Sequence, residues 1–353
     1  AVMTVKGRVY CGKKAVADVV VSDGVIVTKT DKDGVYYLPS EKKMGYVFVS
    51  IPSGYNIESE AGYPAFPAMS QQLLNEDNEQ HDFALTEIPG GNTNHVMMVF
   101  TDLHLASKTP NTAGKYADID QYKNKFMPDI TAEMAQYANV YALCLGDITW
   151  DAFWYKTMNQ GPENMVEVRY QLPNYKDLMK NFPCPVFNVI GNHDHVQNVA
   201  TDREAVKKFE EHLGPTCYSV ELGELHFIFL DNIIMKNNTL DPNATGAYND
   251  GLSDEVYSWL CNDLKYVDKN KIIMLCAHSS MFRKPDSEPA ERDKHGPDYA
   301  SRLAQYRFVH SWAGHSHINF NYAYSAEEPA AKFPNVESHI LARSTGALWL
   351  NER

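Results

Sequence analysis

Long apolar runs that end abruptly in polar residues recur along the chain after residue 94. One run closes with Val189-Ile190, and after Gly191 come the three polar residues Asn192, His193 and Asp194. Continuous apolar runs of this length are typical of strands buried on both faces, so they predict the central strands of a sheet. Four more runs end in the same way: 95–101 before Asp102 and His104, 140–146 before Asp147, 271–277 before His278, and 307–309 ahead of His315 and His317.

Helical periodicity alternates with these predicted strands. Apolar residues at helical spacing predict a helix over about 116–137. A capping box at Thr201–Glu204 predicts a second helix that ends before Gly214, and a third helix is predicted after Ser253. Strands that alternate with helices and carry polar residues to one edge predict a layered α/β domain.

The first 88 residues have a different pattern, with short β-rich runs and no helical periodicity. Asp23-Gly24 and Asp33-Gly34 predict tight hairpins, and the set predicts a small all-β sandwich domain over 1–88. This domain is interpreted either as a carbohydrate- or surface-binding module or as a rigid packing partner for the catalytic domain. The second reading is favoured because no aromatic platform stands out. The β-rich runs of this first domain are 5–11, 19–21, 25–28, 35–38 and 46–51. Residues 89–94 are the predicted linker, and residues 95–353 are the predicted catalytic domain.

The polar residues at the strand ends predict a metal site. Open α/β sheets hold their ligands at the carboxyl ends of the strands. So many imidazole and carboxylate groups cannot share a small space without cations between them, which predicts a binuclear centre. Oxygen and imidazole ligands without thiolate admit Mn, Fe, Zn or Co. The candidate residues are Asp102, His104, Asp147, Asn192, His193, Asp194, His278, His315 and His317.

Composition limits the class of partner. The 353 residues carry a net charge of −13 and contain no basic block, so no nucleic acid is expected. No apolar stretch reaches the length that a membrane span needs. The first residue is Ala1, which predicts an exported protein, periplasmic or at the cell surface, whose signal was removed. Two of the six cysteines, Cys144 and Cys276, are predicted to be buried thiols; Cys11, Cys184, Cys217 and Cys261 remain able to pair.

The order of the polar blocks resembles that of a known family. Asp-x-His, Gly-Asp, Gly-Asn-His-Asp, a lone His and Gly-His-x-His, over about 95–345, look like the calcineurin-like metallophosphoesterases. The resemblance implies a four-layer α/β/β/α sandwich, and residues 1–88 resemble the transthyretin-like domain attached to some relatives. Relatives often carry a further C-terminal domain, of which this chain has almost none. Trp150 stands where the second block often has another Asp, and Asp151 follows it.

The resemblance also implies roles for the candidate residues. Asp147 would bridge two metals. His193 would be the general acid, and Asp194 would orient its ring. The implied reaction is attack of a metal-bridging hydroxide on a phosphate ester, with a phosphodiester favoured. The alternatives are a phosphomonoesterase or nucleotidase, and a surface-binding protein whose metal site is inert. Asp102, His104 and His317 would complete one metal site, and Asn192, His278 and His315 the other.

Three features near these blocks have less certain roles in the sequence. His195 and Arg283 are weaker candidates for contacts with the substrate. The aromatic insertion over 150–172 is read either as a wall of the substrate site or as a loop that covers the end of the sheet.

Overall fold

The structure is a computed structural model that describes residues 2–57, 69–74, 76–105, 118–150, 171–196, 199–236, 248–282, 293–323 and 333–344. Among these residues, no helix is both long enough and apolar enough to cross a membrane.

The N-terminal region consists of ten short strands in two sheets. In one sheet, β1 pairs with β2, β5, β9 and β10, and β7 pairs with β10; the other sheet has the order β4-β3-β6-β8. Residues alternate between buried and exposed along β1, as expected for a strand with one face on a core. The strands are β1 Val5–Cys11, β2 Lys14–Ala15, β3 Val20–Ser22, β4 Val27–Lys29, β5 Val35–Leu38, β6 Tyr46–Val49, β7 Tyr55–Asn56, β8 Ser70–Gln72, β9 Glu79–Gln80 and β10 Phe83–Glu87.

Only one of the two predicted hairpins is present. Asp23-Gly24 lies in the turn between β3 and β4, which pair in antiparallel fashion. The prediction of a hairpin at Asp33-Gly34 is wrong, because this turn carries the chain from β4 in one sheet to β5 in the other. Gly34 has φ +72°, and a Cβ there would lie 2.5 Å from Val9 O, so the turn needs glycine for both conformation and space.

The catalytic region contains two further sheets and a hairpin. A parallel sheet has the order β11-β12-β13, and a mixed sheet has the order β14-β15-β18-β19-β21-β20. The predicted apolar runs lie in strands of these sheets: three of them, in β12, β18 and β19, are central as predicted, whereas those in β11 and β13 form the edges of the small sheet. The strands are β11 Val96–Phe100, β12 Val140–Cys144, β13 Val186–Asn188, β14 Tyr218–Leu222, β15 Leu225–Leu230, β16 Ile233–Met235, β17 Tyr248–Asp250, β18 Ile272–Ala277, β19 Phe308–Ala313, β20 Phe320–Ala323 and β21 Val336–Ile340.

The helices begin close to the predicted residues, but the first predicted helix consists of several shorter segments. The Thr201 side chain accepts a hydrogen bond from Glu204 N at 3.2 Å, which confirms the predicted cap, and Ser253 caps the next helix in the same way by accepting from Val256 N at 3.2 Å. The predicted helix over 116–137 consists of α1, a π-helical segment Tyr122–Phe126 and α2. The helices are α1 Asp118–Gln121, α2 Met127–Met134, α3 Gln171–Met179, α4 Asp202–Ala205, α5 Lys207–Leu213, α6 Asp254–Asp263 and α7 Gly296–Leu303.

The two catalytic sheets pack face to face with helices outside them. Phe187 of β13 stacks on Phe229 of β15 with ring centroids 5.4 Å apart. One core cluster joins the outer face of the small sheet to α3 and α5, and another joins the large sheet to α6 and α7. The chain therefore has the predicted four-layer α/β/β/α arrangement.

The N-terminal domain shares a continuous core with the large sheet. Phe48 of β6 lies 6.3 Å from the Trp259 ring of α6, and Trp259 Nε1 donates to Ser22 Oγ at 3.1 Å. Ser50 and Ser219 share a buried hydrogen bond of 2.7 Å across the same interface. These contacts favour the reading of this domain as a packing partner.

Candidate metal centre

Five of the seven predicted ligands lie on turns whose backbone is strained. Asp102, His104 and Asp147 have φ of 54°, 48° and 49°, and His315 and His317 have φ of 65° and 59°. Non-glycine residues rarely adopt this left-handed region, and such outliers cluster at functional sites. The strain turns each side chain back over the end of its strand.

Four side chains converge at the first half of the site. Asp102, His104, Asp147 and His317 each offer one atom within 4.8 Å of the others. His317 Nε2 lies 3.1 Å from Asp102 Oδ1, and His104 Nε2 lies 3.2 Å from Asp147 Oδ2. Asp102 Oδ1 is buried and makes no hydrogen bond of good geometry to any described residue. A carboxylate oxygen left in this state fits a cation.

The second half of the site is built around His278. Its Nε2 lies 3.1 Å from Asp147 Oδ2, 3.1 Å from Asn192 Oδ1 and 3.2 Å from His315 Nδ1. Its Nδ1 donates to Leu145 O at 2.7 Å. That bond sets the tautomer and leaves Nε2 free to bind a metal.

Asp147 belongs to both halves. Its Oδ2 lies between His104 Nε2 and His278 Nε2, while its Oδ1 accepts a hydrogen bond of 2.9 Å from His193 N. Burial would raise the pKa of Asp147, but the His278 and His193 rings hold that pKa well below its usual range. Burial lowers the pKa of His278, and the Asp147 carboxylate outweighs it and raises the pKa to about 10, so a bound cation would displace the proton from Nε2. The donor set therefore fits two cations that share Asp147.

The chain makes these approaches possible by omitting a side chain at Gly191. A Cβ there would lie 2.2 Å from Asp147 N and 2.3 Å from Asp147 Oδ1. The turn after β13 therefore approaches the turn after β12 closely enough for Asn192 and Asp147 to face the same space.

His193 stands beside the ligands rather than among them. Its Nε2 is 3.9 Å from Asp147 Oδ2. Its ring stacks on Trp150 at 4.5 Å with an interplanar angle of 12°, and the Trp150 ring also meets His104 edge-on at 5.0 Å. Sequence reasoning missed this role of Trp150. The available signal was its position, since an aromatic residue stands where the family pattern often has a carboxylate.

Asp194 is bound by donors from both ligand-bearing turns. Its Oδ1 accepts from Thr149 N at 2.8 Å and from Thr149 Oγ1 at 3.0 Å, and its Oδ2 accepts from Gly191 N at 2.9 Å. Among the described residues, no hydrogen bond joins Asp194 to the His193 ring. The carboxylate therefore ties the two ligand-bearing turns together, and its role in orienting the His193 ring stays a prediction.

Comparison with known proteins identifies the family. The family model "Calcineurin-like phosphoesterase" matches residues 95–319, and "N terminal of Calcineurin-like phosphoesterase" matches residues 3–88. The chain belongs to the calcineurin-like phosphoesterase family. It is a metal-dependent phosphoric ester hydrolase, as the order of its motifs predicts. The transthyretin-like character of the first domain stays a prediction.

Solved structures similar to this phosphoesterase include two phosphatases and a putative 5'-nucleotidase. A dimetal phosphatase from Danio rerio is 12% identical, with 70% of this chain and 87% of that chain covered and a TM-score of 0.41. A purple acid phosphatase from yellow lupin is 13% identical, with 72% and 46% covered and a TM-score of 0.43. A putative 5'-nucleotidase from Staphylococcus aureus is 14% identical, with 71% and 49% covered and a TM-score of 0.39. No curated protein sequence matches the chain.

The remaining sequence predictions for this phosphoesterase have mixed outcomes. The His195 ring is buried between Gly191 O at 2.8 Å and Asp231 Oδ2 at 3.3 Å, so it is not placed to contact a substrate. Arg283 and most of the 150–172 insertion lie outside the described residues. All six cysteines are free; Cys144 and Cys276 are buried as predicted, and none of the other four pairs.

Proposed function

We propose that this phosphoesterase hydrolyses a phosphodiester at a binuclear centre held by seven side chains, with His193 as the general acid. The observation that carries the proposal is the position of Asp147 Oδ2, within 3.2 Å of a histidine from each half of the site. A carboxylate has two charged oxygens to share, so it suits a ligand between two cations. The proposed ligands are Asp102, His104, Asp147 and His317 in one half, and Asp147, Asn192, His278 and His315 in the other.

The metals of this centre would be Mn, Fe, Zn or Co, because the ligands are imidazole, carboxylate and amide groups. Two bound ions supply charge that neutralises the phosphate oxygens and lower the pKa of water, so that a nucleophile is available at neutral pH. The chain fixes the geometry: Leu145 O holds the His278 ring, and Asp194 joins the two ligand-bearing turns.

In this proposal His193 delivers a proton to the leaving oxygen. Its side chain is 10% exposed, so it reaches the site without being open to bulk solvent. The Trp150 face fixes the plane of its ring. An alkoxide leaving group needs a proton in the transition state, and general acid catalysis is worth about 10²–10⁴-fold.

The preference for a diester is supported by the groups that border the ligands. Trp150 packs against His104, and Tyr248 OH lies 3.4 Å from His315 Nε2. Both side chains are uncharged at neutral pH. The indole of Trp150 does not ionise, and burial raises the pKa of Tyr248 above its usual range. A diester carries one negative charge, which two cations can match without further basic groups.

A phosphomonoester is the second candidate because a groove beside His317 contains basic residues. Lys125 and Arg343 line this groove, together with Asp129 and Glu133. A guanidinium group there would suit the second charge of a monoester dianion.

The two substrates are distinguished by turnover with Mn²⁺ added. We expect kcat/KM to be higher for bis-p-nitrophenyl phosphate than for p-nitrophenyl phosphate, and Arg343→Gln to change the two values equally. Higher turnover of the monoester, with a selective loss in Arg343→Gln, would support the second candidate. Metal-loaded protein that hydrolyses neither ester would contradict both.

A further inference from the structure

A second group of metal-binding side chains lies on the large sheet, apart from the binuclear centre. His310 of β19 and Glu337 and His339 of β21 each offer one ligand atom to a common space. His310 is directly opposite Glu337 in the pairing of β19 with β21, and His339 follows two residues later. Because side chains alternate along strands, all three project from the same face of the sheet.

We propose that His310, Glu337 and His339 form a third metal site, which binds a divalent ion of the zinc class. His310 Nδ1 lies 3.0 Å from His339 Nε2 and 3.4 Å from Glu337 Oε2, and His339 Nε2 lies 3.7 Å from the same oxygen. Ligands of tetrahedral zinc stand roughly 3.3 Å from one another, given zinc–ligand bonds of about 2.0–2.2 Å. The three atoms therefore already form one face of a zinc tetrahedron.

A neighbouring strand holds one of the rings in the orientation that a ligand needs. His339 Nδ1 donates to Asn321 Oδ1 of β20 at 3.0 Å. This bond places the lone pair on Nε2, the atom that faces His310 and Glu337. The His339 ring also stacks on Trp312 at 4.3 Å, which limits its rotation.

The charge state of the group suits a cation. His310 and His339 each offer one imidazole nitrogen, and Glu337 offers a carboxylate oxygen. Two neutral imidazoles and one carboxylate are the ligand set of several zinc sites that keep a fourth position open. The side chains are 27%, 33% and 16% exposed for His310, Glu337 and His339, so an ion can enter from solvent.

Outside the binuclear centre, the other histidine–carboxylate pairs of the described residues lack this arrangement. His295 Nε2 lies 2.7 Å from Asp254 Oδ1, with Lys294 on the same carboxylate. No second imidazole of the described residues joins that pair. It is therefore an ion pair, and it provides a matched control.

The test counts zinc bound at the third site in a chain whose binuclear centre is disabled. In Asp147→Asn, dialysed against Zn²⁺ and analysed by elemental analysis, we expect one ion that is lost on adding His310→Gln or His339→Gln. Adding His295→Gln should leave it bound. Circular dichroism checks that each variant is folded. An ion that survives both His310→Gln and His339→Gln, or no zinc uptake attributable to these residues, would overturn the proposal.

Asn321 gives a graded second test that does not remove a ligand. Loss of such an outer hydrogen bond typically weakens metal affinity by about 10–100-fold. We expect Asn321→Ala to weaken zinc binding by this factor in a competition titration, and Asn321→Asp, which keeps the acceptor, to restore it. Equal affinities in all three proteins would contradict the assigned orientation of His339. Because only zinc binding at this cluster is measured, failure here leaves the phosphodiesterase proposal untouched.

Discussion

At the scale of single residues, Asp147 decides whether the centre forms. We expect Asp147→Asn to abolish hydrolysis and to lower metal occupancy sharply, because a neutral amide bridges two cations poorly. The loss of bound metal is measured by elemental analysis of Asp147→Asn and the unaltered protein at equal concentration, with Mn²⁺ supplied and Zn²⁺ withheld. Two ions retained at full turnover would show that another ligand bridges the metals. The control is Asp151→Asn, which makes the same change at a nearby carboxylate to which the sequence assigns no role.

His193 is tested by the leaving group rather than by total activity. p-Nitrophenolate is a weak base and leaves without a proton, whereas an alkyl alkoxide needs one. His193→Ala should therefore cost little with p-nitrophenyl esters and on the order of 10²-fold or more with alkyl esters. The metals should stay bound, since His193 is not a proposed ligand. Equal losses with both ester classes would mean that His193 holds the phosphate or a metal instead.

Trp150 is tested through the same contrast. Because its face stacks on His193 at 4.5 Å, Trp150→Leu should leave the ring free to rotate and reproduce part of the selective loss with alkyl esters. Trp150→Phe keeps an aromatic face and should retain more activity. The ratio of the two kcat values, alkyl over p-nitrophenyl, is the measurement. A Trp150→Leu protein that loses both activities and its metals would show a structural role only.

At the scale of elements, strands that end in ligands were readable from the sequence, because a buried strand shows as an unbroken apolar run. The positions of Asp102, His278 and His315 at one edge follow from this alone. The contacts between the ligand-bearing turns could not be predicted from these apolar runs. Asp194 satisfies three donors from residues 149 and 191, and the sequence contains nothing that ranks those amides above the His193 ring. The Asp33-Gly34 turn likewise has hairpin residues, but β5 finds its partner in β1.

Three neighbouring elements, β14, β15 and α6, carry a buried charge network that sets a pH dependence. His226 of β15 lies between Asp263 Oδ2 of α6 at 2.8 Å and Glu221 Oε1 of β14 at 2.6 Å, and Lys271 Nζ also binds Glu221 at 2.6 Å. Burial opposes charge on His226, but Asp263 and Glu221 raise its pKa from 6.5 to about 10. A pKa raised on folding means that the charged ring stabilises the native state.

That contribution is fully present below about pH 6.5, and it is lost as the pH rises toward 10. We expect His226→Gln to lower the free energy of unfolding by about 3 kcal/mol at pH 6, as for a broken buried ion pair, and by less at pH 9.5. Urea denaturation at the two pH values is the measurement. His212→Gln, a half-buried ring whose pKa is lowered by burial, is the control. A difference that grows with pH would mean that His226 is neutral in the native state.

At the scale of the whole molecule, the two domains are expected to unfold as one unit. The sequence places the boundary near residues 89–94, and from it a chain starting near Asn94 is expected to keep its metals and kcat if it folds. The structure adds a condition, because removing the first domain would expose Trp259 and leave the buried Ser219–Asp263 pair open to water. Such a fragment should therefore be much less stable than the full chain.

Phe48→Ala tests this coupling in the full chain. Phe48 is fully buried and packs on Trp259 across the domain interface, so its truncation should cost about 3–5 kcal/mol. If the domains are coupled, urea should abolish phosphoesterase activity and tryptophan fluorescence in one transition, and Phe48→Ala should shift that whole transition. Tyr36→Phe, which removes only a hydroxyl bonded to His81 O inside the first domain, should shift it less. Activity that survives unchanged while a separate transition moves would show that the β-sandwich folds independently and does not support the metal centre.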